Sequence, residues 1–590
     1  MIDYGPGITI MKRFSELLHH QFQENSRRPA IIYRDQVLTF GELAKEAAAI
    51  SGFLQEQGLK KGDIVILYTP DKLPFLLIHL GIILGGGISL PLNPDFTPEE
   101  MVYFLNDSRA RFIFASGPQA ALIRHIENKC PALEAVFAPW HAPWHREPIR
   151  PFAPWHGEPI RPCGPPEGFF NKIEPAENAA AGQVLANSLE FASKRGIEAF
   201  GPEDHKPMAG SSNKTLLRGG QGGGFLEKSP PGRRRQDHCF MLYSSGTTGQ
   251  PKGVMHTQAN IAASLLALQK CWKFTPKDVL LNVLPLYHIH GLSFATHLSL
   301  VSGSTMILED RFHPLKTMEK IKEATVFMGI PTFYYAFLNR PEFKEKAKEW
   351  RRTRLFTCGS APIRPEVLEK IETLIGKPLI NRYGMTESHV ITSLPLGGPY
   401  KHGSVGLPLE GVDIKIAKNH EKDEKEDKQE NRGVGEVRVK SRNLFHHYWQ
   451  RPEATGVAFD QEGFFRTGDL GYLDRDGYLF LVGRKNDLII SSGFNVYPPV
   501  VERVLNQFPG VKESAVIGIP DPLKGEKIMA VIVPDFPGNV NLAELKKHCR
   551  EKLVPYQCPT YYEIAAELPR NTMGKVLKRE LKEKFYNHGL

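Results

Sequence analysis

Short apolar strands alternate with amphipathic helices between residues 62 and 116, and this order constrains the fold most. "GDIVILY" (62–68) reads as a buried strand. "TPEEMVYFLNDS" (97–108) predicts a helix, with Thr97 as its cap and Pro98 at its first position. "RFIFAS" (111–116) is the next strand. Between them lies "LPFLLIHLGIILGGGISLPL" (73–92), apolar enough to suggest a membrane span. Pro74, His79 and the triple glycine Gly85–Gly87 favour a short helix, a glycine turn and a buried strand instead. Strand–helix–strand order points to a parallel sheet of the α/β class. At 590 residues the chain is too long for one core, and length alone suggests roughly four domain-sized units.

Regular patterning stops near 138 and resumes at Asp237. The intervening stretch, rich in Pro, Gly, Trp and His, repeats "APWHREPIRPF" (142–152) as "APWHGEPIRPC" (153–163). His141, His145 and His156 invite a metal reading, but copies of a duplicated peptide account for them more simply. The stretch 138–235 is expected to be a surface insertion without a packed core. "DVLLNVLPL" (278–286) predicts a strand, and "RPEVLEKIETLI" (364–375) an amphipathic helix. The mixed-charge run 418–432 predicts a solvated loop between strands. "LDRDGYLFLVGR" (473–484) predicts a hairpin turning at Asp476–Gly477, and a smaller α+β unit comes after Arg484.

The net charge of +9 suits anionic ligands such as nucleotides without arguing for nucleic acid. Seven cysteines without a C-x-x-C argue against a disulfide framework and for a reducing compartment. No basic-then-apolar leader opens the sequence, so a cytoplasmic protein with no transmembrane segment is expected.

The strongest chemical signal is "YSSGTTGQPKGVMHT" (243–257). Gly246, Gly249 and Gly253 let the backbone turn sharply and present its N–H groups. Ser244, Ser245, Thr247 and Thr248 add hydroxyls, and Lys252 adds a cation. Such a loop can wrap the phosphates of a nucleotide. It is not a Walker loop, because Gly253 rather than Ser or Thr comes after Lys252.

This loop resembles the phosphate loop of the AMP-forming adenylate enzymes. "NRYGMTE" (381–387), "GFFRTGDLG" (463–471), "VGRKNDLIISSGFNVYP" (482–498) and "PRNTMGKVLKREL" (569–581) stand in the same order as in that family. The resemblance covers about 11–137 and 237–585. It implies a large N-terminal domain of packed mixed sheets with helices (1–485) and a small mobile α+β C-terminal domain (486–590). It implies a reaction in two halves. A carboxylate attacks the α-phosphate of ATP, expelling pyrophosphate and forming an acyl-adenylate, and a thiol then displaces AMP.

On this resemblance Glu387 would hold Mg²⁺, Thr386 would touch the α-phosphate, and Tyr383 beside Gly384 would stack on adenine. Asp469 would accept from the ribose hydroxyls, and Arg484 would support ribose or phosphate. Lys575 would reach the reacting carboxylate and α-phosphate, with Thr248 and His288 as further catalytic candidates. Gly359 and Ser360 in "CGSAP" would form the adenine ledge. Asn486 would be the hinge, where the family usually has Asp or Lys. Ser492 and Gly493 would face a pantetheine tunnel, which favours coenzyme A as the thiol.

"PLYHIHGL" (285–292) would line the acyl pocket through His288 and His290, with Met385 as a further acyl-substrate candidate. Arg382 stands where most fatty acyl, aryl and luciferase members carry Gly. In this it looks like the malonyl-CoA synthetase branch. A guanidinium fork can take a second carboxylate, and it obstructs an apolar tail. The bland alternative is that Arg382 turns outward and pairs with an acid. A medium- or long-chain fatty acid is the second reading, and a non-catalytic binding protein on the same fold the third.

Overall fold

The computed structural model describes residues 13–34, 36–137, 237–244, 250–417, 433–521, 523–570 and 575–586. The repeat insertion, the run 418–432 and five phosphate-loop residues (Ser245, Gly246, Thr247, Thr248 and Gly249) lie outside the described residues. All described residues belong to one compact unit.

The expected helix Pro98–Ser108 is present, and Thr97 and Glu100 form a reciprocal capping box at its start. The apolar stretch at 73–92 resolves into a helix (Lys72–Leu84), a turn with Gly86 at φ 82°, and a strand (Ile88–Pro91). Among the described residues no helix is long and apolar enough to cross a membrane. The strand Ile64–Tyr68 is buried along its whole length and pairs in parallel with Ile88–Pro91 and Phe112–Ala115. These strands belong to a seven-stranded sheet that continues through His238–Ser244 and Lys252–Thr257 to the two-residue strand His447–Tyr448.

A nine-stranded sheet carries the site. Its parallel core runs Leu379–Met385, Leu355–Cys358, Val326–Gly329, Val279–Asn282, Thr305–Leu308 and Pro29–Tyr33. Antiparallel strands flank it, His389–Ser393 and Leu407–Pro408 at one edge and Gln36–Thr39 at the other. The strand expected over 278–286 stops at Asn282 for a local reason. The Asn282 side chain accepts from Leu284 N–H (3.0 Å) and donates to the Gly291 carbonyl (3.2 Å), which folds the chain out of the ladder. The chain then winds into a π-helix, His290–His297, buried on every side. Its i→i+5 turns are wide and uncommon, and they concentrate at functional sites.

A four-stranded antiparallel sheet orders Val412–Ala417, Gly435–Ser441, Phe465–Leu473 and Leu479–Arg484. The run 418–432 connects its first two strands, and the last two form the expected hairpin. Beyond Arg484 a single 3₁₀ turn, Lys485–Asp487, leads to the last sheet: Phe494–Val496, Ile489–Ser491, Gly525–Pro534, Val511–Asp521 and Tyr561–Ile564. Helices Pro498–Asn506 and Leu542–Lys552 share one core with a face of this sheet, and Lys578–Tyr586 packs on Val511–Asp521. The architecture is α/β, with large mixed sheets and then a small α+β portion.

Candidate active site

Four adjacent parallel strands end at the same edge of the nine-stranded sheet, and their carboxyl ends supply the site. Val279–Asn282 leads into His288 and His290, and Leu355–Cys358 into Gly359 and Ser360. Val326–Gly329 leads into Pro331, and Leu379–Met385 itself carries Arg382, Tyr383, Gly384 and Met385. A crevice at the carboxyl ends of parallel strands is where open α/β sheets bind ligands.

"NRYGMTES" (381–388) is a strand and a tight turn over Thr386–Ser388, and an antiparallel return strand runs from His389. Gly384 permits the close return, since a Cβ there would lie 2.1 Å from the His389 carbonyl oxygen. His389 completes the turn at φ 58°. Glu387 is thereby held on a hairpin and 7% exposed. Burial raises its carboxyl above the usual carboxylate range, partly offset by a hydrogen bond from Tyr448 OH (3.1 Å) and by the charges of Arg484 and Lys252. Lys252 begins the strand opposite Ser244, and its ammonium lies over the Tyr448 ring, 5.3 Å from the centroid. Sequence reasoning does not find Tyr448; its contact spans 61 positions, and "HHYWQ" carries no signal of it.

Tyr383 is buried, and its hydroxyl donates to Asp469 Oδ2 (2.5 Å). Burial and the Asp469 charge raise that phenol well above its ordinary range. The other Asp469 oxygen, Oδ1, pairs with Arg484 Nε at 3.0 Å, and the two residues face each other in the hairpin register. Burial opposes the Arg484 charge, but Asp469 and Tyr383 outweigh it and raise its pKa. Lys575, far along the chain, joins this group. Burial and the neighbouring Arg484 lower its pKa to about 8, against the pull of Asp469, Asp487 and Glu387. Lys575, Arg484, Asp469 and Glu387 therefore share one electrostatic neighbourhood.

Arg382 lies one strand position from Tyr383 and is 3% exposed. It does not turn outward, and among the described residues no carboxylate pairs with it. Its guanidinium sits over the Phe294 ring of the π-helix, 5.0 Å from the centroid. Nη2 reaches Ser360 Oγ at 3.4 Å, and Nε is buried without a partner. Burial lowers its pKa to about 10, which leaves it charged at neutral pH. Ser360 also contacts His290 Nδ1 (3.1 Å), which joins His290 to the Arg382 pocket. Burial and the Arg382 charge push the His290 pKa well below its ordinary range, and burial holds His288 at about 4, so both imidazoles are neutral at pH 7. Gly359 packs against the guanidinium so closely that a Cβ would lie 2.7 Å from Nε.

The residues expected at the thiol tunnel and at the hinge are exposed. Ser492 and Gly493 form the exposed tip of a hairpin, at φ 54° and 85°. Asn486 is exposed in the 3₁₀ turn, two residues after Arg484.

Residues 18–449 match the family model described as AMP-binding enzyme, and 500–575 match that of the AMP-binding enzyme C-terminal domain. A probable CoA ligase of Humulus lupulus is 38% identical, covering 91% of this chain and 82% of its own length. A malonate–CoA ligase of Arabidopsis thaliana is 35% identical over 97% of this chain and 89% of its own. A long-chain-fatty-acid–CoA ligase of Bacillus subtilis is 29% identical over 95% and 92%. The crystal structure of ATP-bound MatB from Rhodopseudomonas palustris superimposes with a TM-score of 0.76 at 31% identity, covering 97% of this chain and 99% of that one. The chain belongs to the AMP-binding enzyme family and, within it, to the AMP-forming acyl-CoA synthetases.

Proposed function

We propose that the protein is an ATP-dependent, AMP-forming acid–CoA ligase whose acid is malonate or a methyl-substituted malonate. One observation carries this choice of acid: Arg382 is a buried guanidinium with an unpartnered Nε and, among the described residues, no carboxylate beside it. An uncompensated buried charge is costly, and a carboxylate supplied by the substrate relieves that cost through two parallel hydrogen bonds. An alkyl tail leaves the charge uncompensated. The malonate–CoA ligase among the relatives supports the reading, while the long-chain-fatty-acid–CoA ligases keep a fatty acid as the second one.

In this scheme the distal carboxylate of the acid sits on Arg382 and Ser360, beside a neutral His290. Asp469 and Arg484 hold the ribose end of the nucleotide. Glu387 fits a magnesium ligand, since it is a buried oxygen donor in a largely cationic neighbourhood. Mg²⁺ there would neutralise phosphate charge. Lys575 places its ammonium at the reacting carboxylate and α-phosphate. Ser244, Lys252 and the loop between them cradle the outer phosphates. We place the domain boundary at 485/486, with Asn486 as the hinge that later brings Ser492 and Gly493 to the thiol substrate. Six free cysteines among the described residues accord with a cytoplasmic enzyme.

The test is a panel of malonate, methylmalonate, octanoate and palmitate with ATP and CoA. Malonate or methylmalonate is expected to lead in kcat/KM. Arg382→Gly is expected to lower malonate kcat/KM by roughly two to three and a half orders of magnitude, as for losing about 3–5 kcal/mol of a buried pair. Turnover of palmitate alone, or unchanged malonate kinetics in the variant, would sink the dicarboxylate reading.

A further inference from the structure

Three histidines meet on the seven-stranded sheet, away from the acyl pocket: His238, His446 and His447. His238 opens the strand His238–Ser244, and His447 opens the strand His447–Tyr448. These strands lie on either side of Lys252–Thr257. Register sets the geometry. His238 is opposite Thr257, and His447 is opposite Met255. Thr257 and Met255 are two positions apart, so both histidines project from one face of the sheet. His446, exposed and just before the strand, closes the triangle. One ring nitrogen of each residue lies within 4.8 Å of the other two. His238 Nε2 and His446 Nδ1 are 3.3 Å apart, and His446 Nδ1 and His447 Nδ1 are 2.7 Å apart.

We propose that His238, His446 and His447 form a binding site for a divalent transition-metal ion, with zinc as the reference metal. Three imidazole nitrogens within 4.8 Å of one another make a borderline-soft donor set that suits Zn²⁺, Cu²⁺ or Ni²⁺. Zn–N bonds of about 2.0–2.1 Å at tetrahedral angles put ligand nitrogens about 3.3–3.4 Å apart. The first pair already has that spacing. The second opens by roughly 0.6 Å on metallation, a small rotation for the exposed His446 ring. Asp237, the acid next to His238, is occupied by Arg13 and Lys61, so water takes the fourth position. Mg²⁺ prefers oxygen ligands, so the ion of the ATP reaction does not compete for this site. The consequence is structural. A bound ion ties the first residue of one strand to the residues just before Tyr448, whose hydroxyl holds Glu387. The site thus braces a wall of the catalytic cleft from outside it.

The test uses the full chain, stripped with a chelator and dialysed. Zn²⁺ is titrated calorimetrically into wild type, His446→Asn and the double variant His238→Ala/His447→Ala. Wild type is expected to take up one more equivalent than the double variant, and His446→Asn to bind that equivalent at least about tenfold more weakly. Comparing variants separates this equivalent from any bound by histidines elsewhere in the chain. Co²⁺ substitution supplies a second readout, the visible absorption of four-coordinate cobalt, expected in wild type and lost in the double variant. Zn²⁺ is also expected to raise the Tm of wild type most, that of His446→Asn less and that of the double variant not at all, with all three proteins melting alike when metal-free. Equal stoichiometry and affinity in all three proteins, or binding that needs millimolar zinc, would overturn the proposal.

Discussion

Arg382 shows what one side chain can decide. Its identity is legible in "NRYGMTES", but its direction is not, because outward pairing and inward burial fit the same letters. Packing chose burial, through Phe294, Ser360 and Gly359, three contacts from segments distant in the chain. Tyr448 is the opposite case, an ordinary aromatic whose role exists only after folding sets it on Glu387. Lys575 carries a prediction about pH. Burial and Arg484 bring its pKa to about 8, so the ammonium is fully present below that value and lost as pH rises through it. The free-enzyme kcat/KM for adenylation, measured by pyrophosphate exchange, is expected to halve near pH 8 and fall about tenfold per further unit. Lys575→Arg is expected to lose that alkaline limb along with much of the rate. His288 and His290 contribute no limb between pH 6 and 8, since both are already neutral there.

At the scale of elements, the alternation of strands and helices at 62–116 is readable because burial periodicity and capping act locally. The hairpin at 473–484 is readable for the same reason. The π-helix His290–His297 is not readable, since "HGLSFATH" has no period that separates it from a loop. It arises from Asn282, whose side chain ends one strand and holds the Gly291 carbonyl. The wide turn brings His290 and Phe294 to one pocket, each touching a different part of the Arg382 site. Gly359, at the end of its strand, leaves the room that the guanidinium occupies. Gly359→Ala is expected to displace the guanidinium and raise KM for malonate about tenfold or more. The expected overpacking cost is about 1–3 kcal/mol, so the variant still folds. Unchanged malonate KM in a well-folded variant would show that Arg382 does not hold the acid.

For the whole molecule, the order of motifs predicts the sequence of large and small portions, while how Lys575 meets Arg484 and Asp469 depends on tertiary placement. The insertion 138–235 interrupts the chain between Phe137, the end of one strand, and His238, the start of another strand of the same sheet. Replacing it with a short Gly/Ser linker is expected to leave pyrophosphate exchange and thioester formation within about threefold of wild type, as for an accessory surface segment. Asn486→Pro is expected to separate the two halves of the reaction. Pyrophosphate exchange should persist, and acyl-CoA release should fall at least about tenfold, because a fixed φ restricts the hinge. Asp469 and Arg484 face each other on the last rung of a hairpin, and the 3₁₀ turn Lys485–Asp487, which holds the proposed hinge residue Asn486, comes directly after it. On the proposed assignment, the anchor for the ribose and the axle of the lid are one piece of backbone. Linkage makes the traffic two-way: whatever free energy nucleotide binding adds to one lid orientation, that orientation returns as nucleotide affinity. A lid that has swung toward the thiol should hold AMP with a different dissociation constant from one that has not, and the departure of AMP becomes part of what resets the machine.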